Sequence, residues 1–174
     1  MENVLRISPM QLPDGSQPAM IFYDSSFFQS NGSNAQLPTP AEVKALSTEY
    51  ERNPQPPPIR FEQLNLLVKF GPHVKIAEAQ CLWIIKKTLG DDIPVPEVYG
   101  WRIDGDDVFI YMQLLQGHVL KDQWDMLTVL ERIAICDHLR QIIARLREIR
   151  QLPDDIFIGI LNLKSYCIKL LIRW

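Results

Sequence analysis

From residue 59 onward the hydrophobic pattern changes period in a definite order. Leu64, Leu66, Val68 and Phe70 fall on one side of an extended segment, and Asn65, Leu67 and Lys69 on the other. That period of two predicts a strand within 59–70, ended by Gly71 and Pro72. The period then becomes helical. Glu78, Leu82, Ile85 and Leu89 share one face of a helix predicted from about Val74 to Leu89, with Gly90 as its stop. Two further apolar runs, VPEVYGWRI and DVFIYMQLL, flank DGDD and predict a hairpin. The pattern breaks at Gln116 and Gly117, and a short helical piece is expected around Leu120 to Trp124. Thr128 and Glu131 form a capping box that opens a long helix, predicted from about Val129 to Gln151. Ile135, Leu139, Ile142, Leu146 and Ile149 give it an apolar stripe, and Pro153 stops it.

The first 58 residues read differently, because nine of the thirteen prolines lie there. This stretch predicts an arm with one short helix at about 39–51. Thr39 caps it, Pro40 suits its first position and Glu42 completes a capping box. The aromatic cluster IFYDSSFF (21–28) is expected to anchor the arm on the body. NPQPPP (53–58) enforces an extended link. Four regions follow: the arm 1–58, a denser lobe 59–115, the helical segment 116–159 and a divergent tail 160–174.

Composition narrows the classes. The 174 residues carry a net charge of −3, with 47% hydrophobic and 22% charged residues, which fits a soluble globular chain and gives no footing for nucleic acid. No apolar run approaches the roughly 20 residues of a membrane span, and the N-terminus has no signal-peptide core, so no membrane partner and a cytoplasmic setting are expected. Cys81, Cys136 and Cys167 are scattered and form no metal-ligand spacing. Cys81 and Cys136 are expected to be buried free thiols.

Candidate chemistry begins with Lys69. A lysine near the end of an apolar strand needs a partner, because an isolated buried charge is costly. Glu78 stands nine residues later at the base of an apolar helix face. A strand, a tight turn and one helical turn can bring the two together. An ammonium held by a carboxylate is suited to reach phosphate oxygens. The plainer alternative is a lysine snorkelling at a strand end and a separate first-turn glutamate.

The order strand, helix, hairpin, break and long helix is that of a kinase-like nucleotide-binding lobe. The stretches LLVKFG, IAEAQCLW, IPVPEVYGW, VFIYMQLLQG and DIFIG, with LPTPAEVKAL in the arm, resemble the fungal-type branch of aminoglycoside phosphotransferase-related, protein-kinase-like enzymes over about residues 21–159. The resemblance implies an α+β fold: the N-terminal lobe of a kinase-like fold, a small antiparallel sheet plus helix, followed by a hinge and the first helices of an incomplete C-terminal lobe. It implies ATP as the nucleotide and phosphorylation of a small-molecule hydroxyl as the family activity. Lys69 takes the role of the phosphate-contacting lysine and Glu78 its helix partner. Tyr111, Met112, Gln113 and Leu114 lie on the adenine hinge, with Gln113 where this branch usually has an acid.

The rest of that machinery is missing from the sequence. No His-Gly-Asp catalytic loop occurs, and His73, His118 and His138 each read as ordinary solvent-facing or locally bonded residues. Asp104, Asp106 and Asp107 are explained by turn chemistry, and Asp154 and Asp155 by a helix exit. No catalytic and no metal-binding residue is assigned, and Mg2+ is expected only in a full-length relative. No glycine-rich phosphate loop is visible. The expectation is a truncated kinase-like family member that lacks catalysis, with ATP as a possible, weak ligand. The alternative is a non-catalytic remnant or binding module that holds nucleotide weakly or binds a protein partner. The stripe on the long helix is expected to lie uncovered and to favour self-association.

Overall fold

A computed structural model of the chain describes residues 5–32 and 34–151. In chain order the elements are β1 (Leu5–Ile7), β2 (Ala19–Ile21), α1 (Ser26–Asn31), α2 (Pro40–Leu46), β3 (Ile59–Phe61), β4 (Leu66–Gly71), α3 (Ile76–Leu89), β5 (Val98–Asp104), β6 (Asp107–Gln113), α4 (Leu120–Gln123), α5 (Val129–Glu148) and β7 (Ile149–Gln151). The fold is mixed α+β. It divides into two compact units, one over Asp14–Trp83 and Pro96–Leu115, the other including Ile84–Val95 and, among the described residues, 116–151.

The first unit is built on a five-stranded antiparallel sheet in the order β2-β5-β6-β4-β3. The predicted hairpin is present. β5 and β6 pair from Asp104↔Asp107 to Val98↔Met112, and Gly105 takes a φ of 63° in their turn. The predicted strand within 59–70 is two strands. A 3-10 turn at Glu62–Leu64 and Asn65 at φ 49° reverse the chain, so β3 folds back on β4 with Ile59 opposite Val68. Asparagine tolerates that left-handed conformation better than most residues, and the alternating pattern alone does not reveal the break.

Alternation gives this sheet two distinct faces. Leu66, Val68, Phe70, Phe109 and Tyr111 share one face and form a core with Phe27, Phe28, Leu37 and Val43 of the arm. The IFYDSSFF cluster therefore supplies core residues, through α1, a helix the sequence pattern does not announce. The arm also contributes β2 to the sheet edge. Helix α2 carries its predicted capping box in full, with the Thr39 hydroxyl accepting from the Glu42 N–H and the Glu42 carboxylate accepting from the Thr39 N–H. It ends at Leu46, short of the expected 51, because Ser47 turns extended.

Tyr111 is fully buried on this face, and its hydroxyl makes no hydrogen bond to the protein. Burial pushes its pKa up to about 12 from 10.0, against a smaller downward pull from Arg102. Tyr99 is raised too, chiefly by burial. A phenol that stays protonated in the fold contributes stability that is fully present below the unfolded pKa and is lost as pH rises towards the folded value. Urea midpoints are therefore expected to be level up to pH 10 and to fall between pH 10 and 12. Tyr111→Phe, which removes one titrating hydroxyl, should lessen that fall, with Tyr99 supplying what remains.

In the second unit, α5 opens on the predicted Thr128 and Glu131 capping box with both hydrogen bonds formed. It stops at Glu148 because Ile149–Gln151 pairs parallel with Leu5–Ile7. Ile149 thus belongs to a strand, and the expected helix to Gln151 is too long by that strand. The stripe expected to be bare is largely covered: Ile142 is buried, while Ile135, Leu139 and Leu146 are half-buried. The exposed apolar side chains lie on the opposite side, at Val129, Leu130 and Ile133. Helical phase explains this, since those positions sit about half a turn away from the stripe. Cys81 is buried as expected, but Cys136 is exposed, because it sits beside the stripe and not in it. Cys167, Pro153, Asp154, Asp155 and the tail 160–174 lie outside the described residues. Among the described residues no helix is long and apolar enough to cross a membrane.

Candidate functional site

Lys69 lies on β4, opposite Ile110 of β6, and so on the face away from the aromatic core. Gly71 ends the strand at φ 127°, and Val74 N–H closes the turn on the Gly71 carbonyl. That turn delivers α3 within reach of the strand it follows. Glu78, in the first turn of α3, accepts a hydrogen bond from the Lys69 ammonium. The carboxylate side chain is 9% exposed and the lysine side chain 26%. Lys69 and Glu78 are therefore one partly buried ion pair, and not the two independent charges of the plainer alternative. The helix around Glu78 is more enclosed than a single apolar face would be: Ala79, Cys81, Leu82, Ile84 and Ile85 are all buried. The lysine, with about a quarter of its side chain exposed, is the more accessible partner of the pair.

The four hinge candidates face different ways. Tyr111 pairs with Val68 and points into the core, on the side away from Lys69. Met112 pairs with Leu67 and shares the Lys69 face, fully buried. Gln113 N–H donates to the Glu97 carbonyl at 2.8 Å, and the Gln113 side-chain oxygen accepts from Glu97 N–H at 3.4 Å. Leu114 N–H donates to the Asn65 carbonyl at 3.1 Å. Both of these donors are thus engaged within the fold, and a purine edge would have to meet other groups.

Two arrangements escape sequence reading. Glu97 accepts from the Ser26 N–H through both oxygens at 3.2 Å, and from the Ser26 hydroxyl, which ties the start of α1 to the Gln113 strand. No local pattern marks Glu97, because its partners come from far along the chain. The second is a clamp between the arm and the hairpin turn. Lys44 of α2 lies 2.7 Å from Asp104 and 3.1 Å from Asp107, and the Tyr50 hydroxyl donates to Asp107 at 2.5 Å. Burial draws the Lys44 pKa down, but hydrogen bonds to Asp104, Tyr50 and Asp107 outweigh it and hold the ammonium well above the usual lysine value. Asp104 and Asp107 thus serve the arm as well as the turn.

The fit to a nucleotide is uneven. The Lys69 ammonium beside Glu78 suits a phosphate oxygen. The β3–β4 connection, Glu62–Asn65, contains no glycine that would let backbone approach phosphates closely. Among the described residues no three aspartate, glutamate, histidine or cysteine side chains converge as a metal site requires, so no step through magnesium is derived. His73, His118 and His138 are exposed. No protein-family model, curated protein or solved structure matches this chain. The likeness to aminoglycoside phosphotransferases therefore rests on the chain's own residues.

Proposed function

We propose that this chain carries a nucleotide-binding lobe of kinase-like, aminoglycoside phosphotransferase type, and that the 174-residue polypeptide binds nucleotide weakly without turning it over. The observation that carries the reading is the Lys69–Glu78 pair, held between an inner strand of an antiparallel sheet and the helix that follows it. The strand, helix and hairpin order supports it further. Lys69 supplies a point charge for phosphate oxygens, worth more where water is partly excluded. Glu78 holds that ammonium in place. With ATP bound, the phosphates would supply the anionic ligand and the lysine the contact. No group in the chain's sequence is proposed as a hydroxyl-activating base.

Thermal unfolding with ADP or ATP tests the reading. At a ligand concentration tenfold above Kd, stabilisation is about 1.4 kcal/mol, a rise in Tm of roughly 3 °C for a chain of this size. The rise is expected in the wild type and absent in Lys69→Ala, with no phosphate released. An unmoved wild-type Tm at millimolar nucleotide removes the nucleotide reading.

A further inference from the structure

This inference rests on the nucleotide reading of Lys69 and Glu78 and concerns what keeps that pair together. By register, one row of the sheet runs Met20–Trp101–Ile110–Lys69. Trp101 therefore stands two strands from Lys69, about 10 Å at ordinary strand spacing, on the same face. Helix α3 is tied to that face at one point by Glu78. Five residues further on, Trp83 stacks on Phe22 of the arm, with ring centroids 5.9 Å apart and planes at 29°. Phe22 in turn meets Trp101 edge-on at 5.8 Å and 71°. Trp101 is fully buried, and its indole N–H donates to the Gln17 carbonyl at 3.2 Å.

A closed circuit results, from Lys69 across the sheet to Trp101, through Phe22 to Trp83, and back along α3 to Glu78. Its two ends differ in kind. A single ammonium on a single carboxylate fixes a distance but leaves the helix free to roll and slide. Three interlocked rings fix an orientation, because edge-on and offset contacts are lost on small rotations. The arm also crowds the helix between these points. A methyl group on Gly15 would stand 2.8 Å from the Gln80 side-chain nitrogen, so the arm lies against the Gln80 side chain of α3, whose amide end would have to move aside. We infer that Phe22 is a positioning residue, wedged between Trp83 and Trp101, that fixes α3 on the sheet and so holds Glu78 where it pins Lys69.

The test reads Lys69 with and without ligand, in the full chain. An amine-reactive ester acylates lysines, and mass spectrometry gives the rate at Lys69. Phe22→Ala is expected to raise that rate about fivefold, the change produced when the pinned state falls to a minority population. Trp83→Leu, on the other side of the same contact, should do likewise. Phe22→Tyr, which keeps the ring, should restore the wild-type rate. Val43→Ala weakens the core on the opposite face and should leave Lys69 unchanged. ADP affinity should fall about fivefold in Phe22→Ala alongside. An unchanged Lys69 rate in Phe22→Ala and Trp83→Leu, or an equal rise in Val43→Ala, overturns the inference. If Lys69 responds as stated while ADP fails to bind the wild type, the positioning role stands and the nucleotide reading falls.

Discussion

Replacing Gly100 by alanine is expected to cost about 3 kcal/mol of folding stability or more, as overpacking against backbone does. Gly100 lies on β5 at a break in register after Val98, opposite Tyr111 on one side and Ile21 on the other. A Cβ there would stand 2.3 Å from the Met20 carbonyl oxygen and 3.2 Å from the Ile21 Cα. Both are backbone atoms, so no rotamer change relieves the overlap. Either β2 leaves β5 or the irregular stretch opens, and the Phe22 N–H to Tyr99 carbonyl bond at 2.9 Å is lost with it. Gly105→Ala is the internal control. Gly105 has positive φ, at 63°, as Gly100 does at 157°, but nothing lies within 4 Å of an added Cβ there. Its cost should stay near 1 kcal/mol. Urea unfolding of the two variants should separate them clearly, and equal losses would show that β2 is not held against β5 as described.

Lys69→Met is expected to destabilise by about 2 kcal/mol, because it strands a mostly buried carboxylate. The full 3–5 kcal/mol typical of buried pairs is not expected, since about a quarter of the lysine side chain is exposed. Adding Glu78→Leu should recover most of the loss, because two apolar groups of similar volume replace the pair without an unsatisfied charge. Equilibrium unfolding of both singles and the double gives the coupling directly. If the double variant loses the sum of the singles, the two side chains act independently and the pair has no energetic meaning.

Much of the fold was legible because it is local. The alternation around Lys69, the helical spacing from Glu78 to Leu89, the DGDD hairpin and the caps at Thr39 and Thr128 each depend on residues near in sequence. The missed elements are the ones that partners define. β1, β2, β3 and β7 have three residues each, too few for a period to show, and they exist only because another strand lies beside them. The reversal at Asn65 hid inside an apparently continuous alternating pattern. At the site, spacing allowed Lys69 and Glu78 to pair, since a strand, a turn and one helical turn can bring them together, but it left the plainer alternative open. The hinge candidates could not be resolved the same way. Which of Tyr111 and Met112 shares the Lys69 face depends on register with β4, and register is set across strands. Phe22 was legible only as part of an aromatic cluster, because Trp83 and Trp101 reach it through the folded sheet.

The central claim is that Lys69, held by Glu78, meets nucleotide phosphates. An acyl-phosphate derivative of ATP tests it most directly. The bound reagent passes its acyl group to whichever lysine amine lies against the phosphates, an amide forms, and the nucleotide leaves. Tryptic mass spectrometry of the full chain is predicted to find Lys69 acylated, with labelling suppressed by excess ATP and lost in Glu78→Leu. Lys69 left unlabelled, or labelled equally with and without competing ATP, would contradict the account.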